Sequence, residues 1–415
     1  MTTFNAVGAR LPSPRLIIPA LGITQILAWG SSYYLPTVLA KPIVADTGWS
    51  LSWVVGGLSL GLLIAGLASP LVGRQIHRRG GRPVLAASAI LLSLGLVILA
   101  LSPNLIVFTI GWIILGFGMS TGLYDAAFST LGRLYGQAAR QHITTVTLFG
   151  GLASTACWPL SAYLVTELGW RGACGVYATI HLLICLPLYL FAVTDREAPS
   201  WVEAEARTVS AEREEARPRS PAIFLLLAIA IMVASMLSTV ISVHLLTILQ
   251  SHGIALAAAV ALGTIIGPSQ VGARFIEMLV SRHHHPIWTK IVSVSCVALG
   301  LGLLWAGLPL IPLTLVFYGA GIGLESIARA TLPLALFGPA DYAPIMGRLA
   351  RPSLIAQAAS PTIGAFLIQW LGAESALGII VAVAAANVAL TVVLLIMVKA
   401  NLSSRPAEST QATAQ

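Results

Sequence analysis

Charge is what this sequence has least of: Asp, Glu, Lys and Arg together make up 9% of its 415 residues, against 57% for the hydrophobic types. Soluble domains carry about a quarter charged residues, so this composition excludes a soluble globular fold. A mean hydropathy of +0.88 agrees. Cysteine is nearly absent too, and the four present (Cys157, Cys174, Cys185, Cys296) lie in apolar runs with no C-x-x-C spacing. That argues against a disulfide frame or a zinc site and leaves them as small packing residues. Missing as well are G-x-S-x-G, H-E-x-x-H and G-x-x-x-x-G-K-[ST]. Their absence argues against a hydrolase, a zinc protease and drive by nucleotide hydrolysis, so neither an enzyme nor a cofactor is expected. No cleavable signal is expected either, because Arg10-Leu-Pro-Ser-Pro-Arg15 leads into a run too long for a signal core.

What the chain has in abundance is apolar runs, and one bilayer crossing needs roughly 20 apolar residues. Runs bounded by charge or turn residues predict helices over 16–39, 50–73, 83–101, 105–135, 143–166 and 173–193, then 222–249, 254–280, 287–307, 310–337, 352–371 and 376–398. The only long polar segment, 194–221, separates the two sets and reads as a solvated linker. The fold class is therefore an all-α polytopic membrane protein, twelve transmembrane helices in two pseudo-symmetric six-helix bundles. The bundles are 1–193 and 222–398, with 399–415 as a tail. Of the 23 Lys and Arg, all but Lys41, Arg171, Arg274 and Arg329 fall on one side of this map, Lys290 being counted among the loop charges after the eighth helix. By the positive-inside rule that side is cytoplasmic, and both termini with it, in the inner membrane of a bacterium. The net charge of +8 belongs to this topology, so nucleic acid is not an expected partner.

The halves repeat. Gly116-Phe-Gly118 recurs as Gly319-Ala-Gly321, 203 residues later, Pro159 as Pro361 after 202, and Gly73 as Gly272 after 199. In the stretch Gly73 to Pro83, four arginines and a histidine interrupt the apolar sequence, which makes it a loop on the basic side. Its pattern Gly73-x-x-x-His77-Arg78-x-Gly80-x-Arg82 resembles the loop 2/3 signature of the major facilitator superfamily. The resemblance implies alternating access, with Arg74, His77, Arg78 and Arg82 in cytoplasmic contacts that open and close through the cycle. His77 stands where the family usually has an aspartate. Gly48-Trp49-Ser50, Gly116-x-Gly118 and Gly169-Trp170-Arg171 are similar to monocarboxylate-transporter-like members. Gln270-x-x-x-Arg274 resembles their Asp-x-x-x-Arg, which implies that Arg274 meets a substrate carboxylate, beside Gln270 in place of the aspartate. Trp112 and Trp158-Pro159 depart from the drug-antiporter pattern.

Ionisable residues within the membrane carry the chemistry, because each is costly there unless it faces a cavity or a partner. Asp125 lies ten residues into its helix from the basic end, about 15 Å deep, with no basic residue nearby in its own helix. It is either hydrogen-bonded to neighbouring hydroxyls or a proton or substrate group. Glu325 and Arg329, spaced i, i+4, form either a neutralising pair on one helix or a coupling and gating switch. Arg274 and Glu277, at i, i+3, pose the same choice. Trp29, Tyr33 and Tyr34 are expected to line the cavity, which the resemblance implies is surrounded by helices 1, 4, 7 and 10, with interfacial anchoring as the competing reading of the tyrosines. Gly57 and Gly61 have small-x-x-x-small spacing and read as a packing surface.

The sequence thus points to a monomeric secondary transporter, with the bilayer, protons and a small-molecule substrate as its partners. A small organic anion taken up with protons is the first expectation, and Asp125, Glu325 and Glu277 are the proton-coupling candidates. The runner-up is export of a toxic small compound, a drug or a metalloid such as an arsenical, for which the isolated cysteines are the only support.

Overall fold

In the computed structural model, residues 14–193 and 221–403 are described, and they form helices joined by short turns. The expected linker except Pro221, and everything beyond Ser403, lie outside the described residues. The helices of the first half are α1 (Pro14–Gly30), α2 (Leu35–Thr47), α3 (Leu51–Arg79), α4 (Gly81–Ala100), α5 (Leu105–Gly122), α6 (Tyr124–Tyr135), α7 (Ala139–Gly151), α8 (Ala153–Ile180) and α9 (Leu186–Ala192). The second half has α10 (Pro221–Ser251), α11 (Leu256–Gly263), α12 (Ile266–Val280), α13 (Pro286–Trp305), α14 (Ile311–Phe337) and α15 (Tyr342–Ser403).

Nine stretches among the described residues are long and apolar enough to cross a membrane, but two are far too long for one crossing: 88 residues from Leu105 and 59 from Tyr342. Glycine turns them back. Gly136, Gly169 and Gly372 have φ of 56°, 69° and 80°, a left-handed backbone that other residues enter at a cost. Tyr124 therefore meets Thr147 across the first turn, and Ser161 meets Tyr177 across the second. Ile345 and Leu349 share a core cluster with Leu394 and Val398 across the third. Three reversals make the nine stretches into the twelve expected crossings.

Several expected helices are broken. The 16–39 run is interrupted at 31–34, where Ser31 and Ser32 donate their hydroxyls to Leu27 and Ala28 carbonyls and Pro36 starts α2. The 105–135 run breaks at Leu123, and the 254–280 run at 264–265. Backbone irregularity at membrane depth survives only where protein or a cavity shields it from lipid. The Gly73–Pro83 stretch, expected as a loop, is almost entirely helical. α3 runs on to Arg79, Gly80 with φ 84° makes the turn alone, and Arg82 sits in the first turn of α4.

Part of the repeat has a packing cause. A methyl on Gly116 would lie 2.6 Å from the Gly61 carbonyl oxygen, and one on Gly319 would lie 2.8 Å from that of Ile266, so both glycines seat the same pair of crossings in each half. Gly73 and Gly272 are not equivalent. A methyl at Gly73 would strike the Ala343 carbonyl at 2.4 Å, whereas Gly272 has open space. Gly57 is a packing surface, since Trp112 lies 2.3 Å from the position a methyl would take there.

Candidate functional site

The two halves touch at the end that carries the basic loops. Ser69 donates to the Gly347 carbonyl at 3.0 Å, and Gln137 to that of Leu334 at 3.4 Å. One apolar cluster runs through the contact, joining Ile76, Phe128 and Leu131 to Leu334, Tyr342 and Met346.

Above that contact sits Arg274, 5% exposed. Its Nε donates to the Ser326 hydroxyl at 3.0 Å and the Gly323 carbonyl at 3.3 Å, and its Nη2 to Gln270 Oε1 at 3.2 Å. Nη1 crosses to the other half and donates to the Thr147 carbonyl at 3.2 Å. Consecutive glycines in α7 make room: a methyl at Gly151 would lie 2.1 Å from Arg274 Nη1, and one at Gly150 the same distance from the Tyr124 hydroxyl. The Tyr124 hydroxyl also donates to Thr147 O, at 3.4 Å, so both side chains meet on one carbonyl. Among the described residues, no Asp or Glu pairs with Arg274. It therefore has four uncharged acceptors and no counter-charge, an expensive state in a low-dielectric interior.

The expected pair Arg274–Glu277 does not form, because each side chain is held by partners on other elements. Glu277 accepts from the Thr289 hydroxyl at 2.7 Å and faces His284 Nε2 at 3.5 Å and Arg140 Nη2 at 4.0 Å. Arg140, on the other half, donates to the His284 carbonyl at 2.8 Å. Its Nε and Nη2 are buried without a hydrogen-bond partner.

Nor does Glu325 pair with Arg329. Glu325 Oε1 accepts from Lys290 Nζ at 2.5 Å and Oε2 from the Ser293 hydroxyl at 2.9 Å, both on α13. Lys290 is 0% exposed, so it is a membrane charge and not a loop charge. Arg329 instead reaches across the halves, Nη2 donating to both Asp125 oxygens at 3.0 and 3.2 Å. Asp125 therefore has a basic partner after all, one that no inspection of its own helix could supply.

Trp29, Tyr33 and Tyr34, at the α1–α2 break, are partly buried and meet one another edge-on or tilted, and Trp29 meets Tyr124 of α6. Trp29 and Tyr124 centroids lie 5.0 Å apart, and Tyr34 reaches Trp158 at 6.2 Å. Among the gating candidates, Arg74, His77 and Arg78 are exposed on the last turns of α3, and the His77 carbonyl accepts from Arg133. Arg329 lies apart from them, on Asp125.

Residues the sequence reading passed over are Tyr124, Thr147, Arg140, His284, Lys290 and Ser326. Only Lys290 carried a signal, since a lysine four residues beyond Pro286 lies a full turn inside its helix.

The sequence matches the family model described as Major Facilitator Superfamily over residues 21–347. It is 28% identical to human Monocarboxylate transporter 11 over 158 residues, 37% of this chain and 32% of that protein. With human Monocarboxylate transporter 6 it shares 33% identity over 123 residues, 29% of this chain and 24% of that one. A Pseudomonas aeruginosa protein named Transcription regulatory protein OpdE is 26% identical over 144 residues, 34% of this chain and 36% of it. The matches thus span about a third or less of each curated relative. Among solved structures, the human organic anion transporter MFSD10 superposes with a TM-score of 0.70 at 16% identity, covering 92% of this chain and 100% of that one. The proton:xylose symporter XylE gives 0.71 at 14%, covering 93% and 96%. At such identities the likeness is one of fold.

Proposed function

Since the chain belongs to the major facilitator superfamily, a family of membrane transporters and not of enzymes, we propose that it is a secondary transporter that takes a small organic anion onto Arg274. One observation carries this reading: Arg274 is 5% exposed and, among the described residues, hydrogen-bonded only to uncharged acceptors and without a carboxylate partner. An anion that enters supplies the missing charge, and the guanidinium fork matches the two oxygens of a carboxylate. The similar proteins named for monocarboxylates and organic anions are consistent with it.

Protons are the proposed driving ion, with uptake as the direction and a monomer as the working unit. Asp125 and Arg329 join the halves, so protonating Asp125 removes one charge of the bond that holds them and favours their parting. Positive-inside orientation makes the joined end cytoplasmic, in the inner membrane of a bacterium. The arsenical reading gains no support, because Cys157, Cys174 and Cys185 are buried, the last two within apolar core clusters.

Counterflow in proteoliposomes tests the reading. Vesicles loaded with a mixture of carboxylates should accumulate labelled acid through the native chain, Arg274→Lys should do so weakly, and Arg274→Gln not at all. Undiminished counterflow by Arg274→Gln, inserted in normal amounts, refutes it.

A further inference from the structure

Arg274 fixes one end of the ligand, and the side chains beside it bear on the other end. The Arg274 Nη1 and Tyr124 hydroxyl meet on the Thr147 carbonyl, so the Tyr124 ring begins where the guanidinium ends. From there the rings continue without a gap. Tyr124 lies 5.0 Å from Trp29, which lies 5.2 Å from Tyr33 and 6.2 Å from Tyr34, and Tyr34 meets Trp158 at 6.2 Å, nearly edge-on at 84°. Three crossings contribute to the wall: the one broken between α1 and α2, that of α6 and that of α8.

The wall is held in place. Trp29 Nε1 donates to Gln25 Oε1 at 3.2 Å, and Gln25 Nε2 to the Gly122 carbonyl at 2.7 Å, at the end of α5. Gly150 is the seat of the Tyr124 hydroxyl, as described above. Yet the wall is not sealed, because Trp29, Tyr33 and Tyr34 keep part of their surface uncovered and Trp158 is 43% exposed.

Aromatic rings of this kind can receive an organic cation over their faces or another ring at 4.5–7 Å. A cation is disfavoured here, because the uncompensated charge of Arg274 stands at the end of the wall. A two- or three-carbon acid satisfies Arg274 and leaves the rings untouched. Resting on the anion reading above, we infer that the substrate is an aryl carboxylate, its carboxylate on Arg274 and its ring against Trp29 and Tyr34.

Each ring-to-ring contact is worth roughly two- to tenfold in affinity beyond its apolar area, so two mid-range contacts of about threefold each give about tenfold. Isothermal titration of the purified full chain in lipid nanodiscs with benzoate, cyclohexanecarboxylate and propionate separates aromatic from merely apolar recognition. Benzoate should bind about tenfold more tightly than cyclohexanecarboxylate, and propionate more weakly still. Trp29→Leu and Tyr34→Leu should each cut the preference to about threefold while still binding cyclohexanecarboxylate, which also shows that they are folded, and Tyr34→Phe should keep it near tenfold. Equal binding of benzoate and cyclohexanecarboxylate by the native chain overturns the aryl inference and leaves the anion reading intact. Binding of none of the three acids, or undiminished benzoate binding by Arg274→Gln, overturns the anion reading and this inference with it.

Discussion

Replacing Asp125 by Asn leaves Arg329 facing a neutral amide across the contact between the halves. The pair is close, with both carboxylate oxygens within 3.2 Å of one guanidinium nitrogen, but the two side chains keep 20% and 16% of their surface exposed. Removing one partner of a fully buried pair costs about 3–5 kcal/mol, and partial exposure lowers that to about 2 kcal/mol. Because the bond joins the halves, this cost falls on the joined state, so the ratio of parted to joined molecules should rise roughly thirtyfold. Nitroxide labels at Gln75 and Arg282, both exposed and on opposite halves at the basic end, report this separation by double electron–electron resonance. Asp125→Asn should shift the distance distribution to longer values, and the reversed pair, Asp125→Arg with Arg329→Asp, should shift it back. A distribution for Asp125→Asn that overlays the native one refutes the reasoning, and with it the proposed route from proton uptake to opening.

Other perturbations test the remaining charges. Arg274→Gln combined with Glu277→Gln should stay inactive in transport, because Glu277 is held by Thr289, His284 and Arg140 and does not neutralise Arg274; recovery in proteoliposomes would make the two a structural pair. Lys290→Met should lower thermal stability by about 3–5 kcal/mol by stranding Glu325, and adding Glu325→Gln should recover most of it, as read by unfolding in detergent. Burial, with Arg140 and His284 nearby, holds the His285 imidazole below its ordinary 6.5. The neutral ring accepts the Ile287 N–H and caps α13, so this stability is present above pH 6.5 and is lost as pH falls through the lowered value. A thermal-unfolding series from pH 8 to 4 should show this loss, and should be flatter in His285→Asn, which keeps the capping oxygen.

The crossings were legible because hydropathy acts locally: a run of apolar residues must lie in lipid or in protein wherever the rest of the chain goes. Reversals were legible as the gaps between apolar runs, and the structure makes them at Gly136, Gly169 and Gly372 with a positive-φ backbone that little else tolerates. The site was legible only as a set of residue types. Arg274, Asp125, Glu277, Glu325 and Arg329 are all near the centre or the joined end, but each partner assigned by spacing along a helix was replaced by one from another helix. An i, i+4 pair such as Glu325 and Arg329 gains only a few tenths of a kcal/mol at a water-exposed surface. In the interior each side chain finds whichever opposite charge its helix rotation presents, which is Lys290 for one and Asp125 for the other. Helix rotation depends on packing across the whole bundle, and no short stretch of sequence encodes it.

The charge balance that results bears on what the protein carries. Asp125 is matched by Arg329, Glu325 by Lys290, and Glu277 by Arg140, so each of these three acids has its base. Arg274 alone among these groups has no acid, although Gln270 stands one turn away, where a carboxylate would neutralise it with little change in shape. With Glu at position 270 the arginine would be compensated permanently and an anion would have to displace an internal ion pair. With glutamine the acceptor orients the guanidinium and leaves its charge unmatched for the ligand. Gln270→Glu should therefore stabilise the empty protein against heat while weakening carboxylate binding at least tenfold, and a variant that gained stability yet bound benzoate as tightly as the native chain would show that the charge of Arg274 is not what recruits the substrate.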